Sequence, residues 1–251
     1  MIDLERRGNI ALLTLAHGKA NALDLDLCHA LERRVGECGE AWCSGVVMTG
    51  RGGIFSAGVD LVRVVAEGAP YLKRFLPALS DSLQALFAFA KPVVAAVNGH
   101  AIAGGCILAC AADRRLMARG AGRIGLPELL VGVPFPTVPI EIMRFAAAPP
   151  RLGSLFLDGT TFGADEAVGH GLIDAAADAD TMVEGAMAAA ETLASRPAAA
   201  FALTKLQLRS AALARMRAGR AEFDHAVHDV WCAPATIDAI RGYIERTFKR
   251  S

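Results

Sequence analysis

Asn98-Gly99-His100-Ala101-Ile102-Ala103-Gly104-Gly105-Cys106-Ile107 sits between two apolar runs, Pro92-Val93-Val94-Ala95-Ala96-Val97 before it and Leu108-Ala109-Cys110-Ala111-Ala112 after it. A short apolar run, a glycine turn and a second apolar run read as buried strand, tight turn and buried helix. That order aims free backbone N–H groups at a negative oxygen. A second segment, Phe55-Ser56-Ala57-Gly58-Val59-Asp60-Leu61, has the same logic. Two such turns converging on one carbonyl make an oxyanion hole.

Working outward, Ile10-Ala11-Leu12-Leu13-Thr14-Leu15 and Gly45-Val46-Val47-Met48-Thr49-Gly50 read as further strands. Leu23, Leu27, Ala30, Leu31 and Val35 share one face of a helix that opens at Leu23-Asp24. Leu79, Leu83, Leu86 and Phe87 form the stripe of an amphipathic helix over residues 70–90. The central glycine turn leads into a helix over 105–112 and a strand near 114–118. Helices are expected over 139–147, 164–170 and 179–195, and Pro197 suits the first turn of another. From there to Ser251 the pattern is helical throughout. Short apolar strands alternating with helices imply an α/β core.

The 251 residues are 53% hydrophobic, enough for one large domain with a small appendage. Lys+Arg and Asp+Glu each total 26, so no global charge draws the chain to nucleic acid or to a membrane surface. No apolar run is long enough to span a bilayer. Met1-Ile2-Asp3-Leu4-Glu5-Arg6-Arg7 lacks the apolar stretch of a signal peptide. Cys28, Cys38, Cys43, Cys106, Cys110 and Cys232 show neither a C-x-x-C pair nor zinc spacing. They read as reduced thiols of a cytoplasmic protein, with no metal site.

The two glycine turns, in this order, resemble the enoyl-CoA hydratase/isomerase (crotonase) superfamily. Lys19-Ala20-Asn21-Ala22-Leu23 resembles its N-terminal signature near the CoA nucleotide. Gly125-Leu126-Pro127-Glu128 and Ala164-Asp165-Glu166-Ala167 through Gly171-Leu172-Ile173-Asp174 continue in family order. Any one of these is weak; five in register carry the assignment. The resemblance implies an α/β fold, a crotonase-like spiral of ββα units with a C-terminal helical domain. Residues 1–195 would form the core and 196–251 a helical trimerisation region. It also implies an acyl-CoA thioester substrate, a homotrimer or hexamer, and a place in fatty acid β-oxidation. Coenzyme A is then part of the substrate and no separate cofactor is expected.

By the same resemblance the backbone N–H groups of Val59 and Gly104 stabilise the enolate oxygen of the thioester. Residues expected against the substrate are Lys19, Ala20, Ala57, Gly58, Asp60, Leu61, Gly105, Ile107, Pro134, Phe135 and Lys249. Of these, Asp60 looks structural, and Lys19 and Lys249 could meet the CoA phosphates. Hydratases of the family position water with two glutamates. Here the second falls on Glu128 and the first on Ile107, whose hydrocarbon cannot activate water. Moving a double bond needs only one base. Glu128 lies among Leu126, Pro127, Leu129, Leu130 and Val131, where desolvation should raise its basicity toward neutral pH. The pattern is therefore closer to 3,2-trans-enoyl-CoA isomerases. Alternatives are a hydratase using Glu128 with one water, or a non-catalytic CoA binder. The prolines Pro134, Pro136 and Pro139 stiffen a pocket-like loop and replace the glycine-rich loop typical of hydratases.

Other chemistries fit less well. Ile54 stands where a serine hydrolase would need the first glycine of G-x-S-x-G. No G-x-G-x-x-G follows the first strand. His100 lies on a turn that reads as solvated, and Arg114-Arg115 reads as a surface pair. The arginines at 209, 215, 217 and 220 would be the one basic helix face for a nucleic acid, but the zero net charge argues against it.

Overall fold

Strand β1 (Ile2–Arg7) pairs antiparallel with β2 (Ile10–Leu15) through a turn at Gly8. The sequence pattern missed β1, because its charged outer residues Asp3, Glu5 and Arg6 mask the alternation of Ile2 and Leu4. Helix α1 (Leu25–Cys38) starts two residues later than its apolar stripe, because the Asp24 side chain caps it by accepting from Leu27 N at 2.8 Å. Then follow β3 (Gly45–Gly50), β4 (Ile54–Ser56), α2 (Leu61–Ala88), β5 (Val93–Val97), β6 (His100–Ile102), α3 (Gly104–Cys110), β7 (Arg114–Ala118), β8 (Ile124–Gly125) and α4 (Glu128–Val131). The remaining elements are α5 (Thr137–Ala146), α6 (Leu152–Leu157), β9 (Thr161–Phe162), α7 (Ala164–Gly169), β10 (Ala175–Ala177), α8 (Ala179–Ala194), α9 (Ala198–Cys232) and α10 (Pro234–Phe248). This computed structural model describes residues 1–147 and 149–248.

Two sheets result, one in the order β1-β2-β3-β5-β7-β10 and one in the order β4-β6-β8-β9. From β3 onward the chain lays one strand in the first sheet, the next in the second, and then a helix. It does so three times, as β3-β4-α2, β5-β6-α3 and β7-β8-α4. That is a spiral of ββα units. Apart from the outer antiparallel pairs β1-β2 and β8-β9, every ladder is parallel.

Parallel strands buried on both faces explain the continuous apolar runs in the sequence. Ile10, Leu12, Val47, Val94 and Ala96 face α8, against Met182, Ala186 and Ala190. Their alternates Ala11, Leu13, Val46, Met48, Val93 and Ala95 face the main core, with α1, α2 and α3. Ala212, Met216, Trp231 and Ile240 of the last two helices belong to that same core.

Helix α2 begins at Leu61, well before the expected residue 70. Asp60 caps it by accepting from Arg63 N at 3.0 Å, and Gly68 (φ 63°, ψ −150°) breaks it into two stretches. His100 lies in β6 and not on a solvated turn, paired with Ile54. Arg115 is no surface residue either. Its guanidinium pairs with Asp174 at 3.0 Å and reaches the carbonyl of Gly171, while Arg114 stays exposed. Nor do the arginines of α9 form a basic face. Arg209 is buried against Asp113 at 2.7 Å, Arg215 pairs with Glu141 and Arg220 with Asp81. No helix among the described residues is long and apolar enough to cross a membrane.

Candidate active site

The two glycine turns meet. After β4, Val59 forms an isolated parallel bridge with Leu23. Leu23 N donates to Gly58 O at 2.7 Å and Asp60 N donates to Leu23 O at 2.9 Å. In such a bridge the middle residue's own N–H points away from the partner strand. Val59 N–H has no acceptor among the described residues. After β6, Ala103 donates to Gly125 O at 2.8 Å, and its strained backbone (φ 55°, ψ −126°) turns the chain into α3. Gly104 N–H, at the first residue of that helix, is likewise free among the described residues.

Close approach of the turns depends on two glycines. A Cβ at Gly58 (φ +84°) would stand 2.7 Å from Ile102 O, 2.8 Å from Ala103 Cβ and 3.2 Å from Gly104 N. A Cβ at Gly105 would stand 2.3 Å from Ser56 O. Both positions therefore exclude any larger residue without backbone movement. Lys19-Ala20-Asn21-Ala22-Leu23 braces the first turn from behind. Ala57 N donates to Ala20 O at 3.0 Å, Ser56 Oγ to Asn21 O at 2.8 Å, and Asn21 Nδ2 to Ile54 O at 3.0 Å.

A cavity opens beside the two turns. Ala57, Val59, Leu61, Gly104, Ile107, Glu128, Pro134 and Phe135 line it, as the sequence reading expects. Leu79 and Leu83 of α2, Ile102, Val131, Val133, Trp231 of α9 and Tyr243 of α10 complete its mostly apolar wall. Trp231 carried no local signal, because it comes from a helix remote in sequence. Ala20, Gly58, Asp60 and Gly105, expected against substrate, do not line this cavity. Gly58 and Gly105 let the turns touch, Asp60 caps α2, and Ala20 braces β4's exit. Lys19 is exposed, outside the cavity. Lys249 lies outside the described residues.

Glu128 is the only carboxylate among the described residues that line the cavity. It is 9% exposed, and its Oε2 is buried with no hydrogen-bond partner. Burial pushes its carboxyl up to about 8, against an ordinary 4.5; a bond from its own backbone N–H only partly offsets this. Pro127 before it and Gly132 after it (φ 94°) confine the glutamate to the start of a single helical turn. Ile107, 2% exposed, occupies the wall from α3. The arrangement can therefore hold a carbonyl oxygen at two free N–H groups and present one desolvated, basic carboxylate nearby.

The family model for Enoyl-CoA hydratase/isomerase matches residues 5–247. A putative enoyl-CoA hydratase of Thermus thermophilus is 37% identical over 163 residues, which cover 64% of this chain and 64% of that protein. Enoyl-CoA delta isomerase 3 of Arabidopsis thaliana is 29% identical over 205 residues, covering 78% of this chain and 86% of the relative. The crystal structure of human mitochondrial delta3-delta2-enoyl-CoA isomerase superposes with a TM-score of 0.95 over 100% of this chain and 99% of that one. At 22% identity that last likeness is one of fold.

Proposed function

Because the chain belongs to the enoyl-CoA hydratase/isomerase family, we propose that it moves a carbon–carbon double bond between 3-enoyl-CoA and 2-trans-enoyl-CoA. Glu128 in its carboxylate form removes a proton from the α carbon of the 3-enoyl thioester. The electrons delocalise onto the thioester oxygen as a dienolate, which Val59 and Gly104 N–H stabilise; one such donor contributes roughly 3 kcal/mol. The same carboxyl returns the proton at the γ carbon, and the double bond rests between α and β. Coenzyme A is part of the substrate and no other cofactor enters.

One observation carries the reading: among the described residues the cavity holds a single carboxylate, Glu128, and hydrocarbon from Ile107 where a second acid would stand. Water addition needs a nucleophile held by several polar partners, and Ile107 offers none. The hydratase reading keeps Glu128 as its base and is supported by the name of the Thermus relative. A non-catalytic CoA binder would have no use for a desolvated carboxyl. Assaying the purified protein with 3-enoyl-CoA and separately with crotonyl-CoA decides among them. Isomerisation of the first with slow hydration of the second is expected. Fast hydration without isomerisation overturns the assignment. A homotrimer or hexamer acting in fatty acid β-oxidation belongs to the same proposal, and light scattering on the purified protein measures its assembly.

A further inference from the structure

The cavity's outer wall is a strap, residues 133–136, running from the end of α4 to the start of α5. Val133, Pro134, Phe135 and Pro136 all line the cavity. Two of the four are prolines and have no N–H; Val133 N donates to Glu128 O at 3.1 Å, and beyond that turn the strap has few bonds of its own. Its anchors come from α9. Asp224 Oδ1 accepts from Thr137 N at 2.9 Å and from Thr137 Oγ1 at 2.7 Å, across 87 residues of sequence. Trp231 Nε1 donates to Pro134 O at 2.9 Å, across 97 residues. Gly219 lets α9 come this close, since a Cβ there would stand 2.6 Å from Thr137 Cγ2. Arg220 pairs with Asp81 of α2 at 2.7 Å and lies 4.0 Å from Asp224. On the far side, Phe135 meets Phe156 edge-on with ring centroids 4.6 Å apart.

We propose that Asp224 is a positioning residue that, with Trp231 of the cavity wall, fixes this strap and thereby sets the enzyme's preference for acyl-chain length. The inference rests on the acyl-CoA reading above. An apolar wall held at van der Waals distance rewards each buried methylene by about fourfold in affinity. A wall free to move away loses that discrimination, while the oxyanion turns, on other elements, keep theirs. Neither Asp224 nor Trp231 offers a charge or proton to the reacting atoms in this scheme.

The test uses saturated thioesters, which bind without reacting. Calorimetry with butyryl-CoA and octanoyl-CoA is run on the wild type, Asp224→Ala, Asp224→Asn and Thr137→Val, with a thermal melt to confirm folding. Asp224→Ala is expected to lower the octanoyl-to-butyryl affinity ratio by about tenfold, because two hydrogen bonds to the strap are lost. Asp224→Asn keeps an acceptor oxygen for Thr137 and should restore the ratio. Thr137→Val drops the Oγ1 bond to Asp224 at nearly constant shape and away from the cavity, keeps the N–H bond, and should fall between. If Asp224→Ala does not fold, Thr137→Val carries the test alone. An unchanged ratio, or equal weakening of both ligands, overturns the assignment. A wild type that binds neither thioester overturns the acyl-CoA reading, and this one with it. A wild type that binds both, with variants of unchanged ratio, overturns this inference only.

Discussion

Ile107 and Glu128 line one cavity, the first with hydrocarbon and the second with a buried carboxyl whose Oε2 has no partner. The pairing governs what the site can do. A desolvated carboxyl whose one donor is its own backbone N–H is a stronger base than a hydrated one, because burial penalises its charge. A branched alkyl group in the same cavity wall offers a water no polar partner.

Glu128→Gln is expected to lower turnover of 3-enoyl-CoA by about a thousandfold, the usual loss when a general base goes. Binding of a saturated acyl-CoA should survive, because glutamine keeps the shape. Steady-state rates and calorimetry on the one variant measure both. Undiminished turnover rules out Glu128 as the base.

Turnover should depend on pH with the sign set by this carboxyl. The base must be ionised, so kcat/KM is expected to rise with pH, reaching half its plateau near 8 in the free enzyme. Stability should run the other way. The native carboxyl holds its proton up to about 8, whereas the unfolded chain releases it near 4.5. Between those values the native state binds more protons, and stability falls as pH rises. Above about 8 this contribution is flat. Glu128→Gln should remove the decline, so its melting temperature should exceed the wild type's by more at pH 9 than at pH 5. A wild-type rate that is level from pH 6 to pH 9 contradicts the prediction.

Ile107→Glu supplies an acid where the cavity wall has none. Hydration of crotonyl-CoA is expected to rise about tenfold or more, since one general acid or base contributes at least that much. The denaturation midpoint should drop, because a second carboxyl enters the cavity that already holds Glu128. If hydration does not increase, the geometry of the site bars it and the missing acid is not the reason.

Gly58→Ala forces a Cβ against Ile102 O and Ala103 Cβ, on a backbone with φ +84°. The expected cost is about 3 kcal/mol of stability, from left-handed strain and the clash together. The two turns should also separate, misaligning Val59 and Gly104 N–H and lowering turnover by about a hundredfold. Chemical denaturation and kinetics on the folded fraction measure the two effects independently.

Part of the site was written in local patterns. Gly58, Gly104 and Gly105 announced two turns, but an acid after a proline is ordinarily a surface or capping residue, and only the family register marked Glu128 as the base; the structure puts Gly104 and Glu128 on one cavity. In the structure Asp60 caps α2, and Gly58 and Gly105 let the two turns pack closely. Local spacing cannot tell a turn that touches ligand from one that touches another turn. Strand β1 and the first stretch of α2 escaped notice because charge on the outer face and a capping aspartate blur periodicity.

By itself the sequence determined the central apolar strands, the two glycine turns and most of the helices, and the hydrocarbon at Ile107. These follow from the apolar period and from residue identity, both local properties. Only the tertiary structure decided which surfaces close the cavity. Trp231 and Tyr243 line it from α9 and α10, and Asp224 of α9 holds the strap's end through Thr137, across 87 residues of sequence. Contacts of that range depend on how helices pack over the finished spiral, and packing leaves no period in the chain.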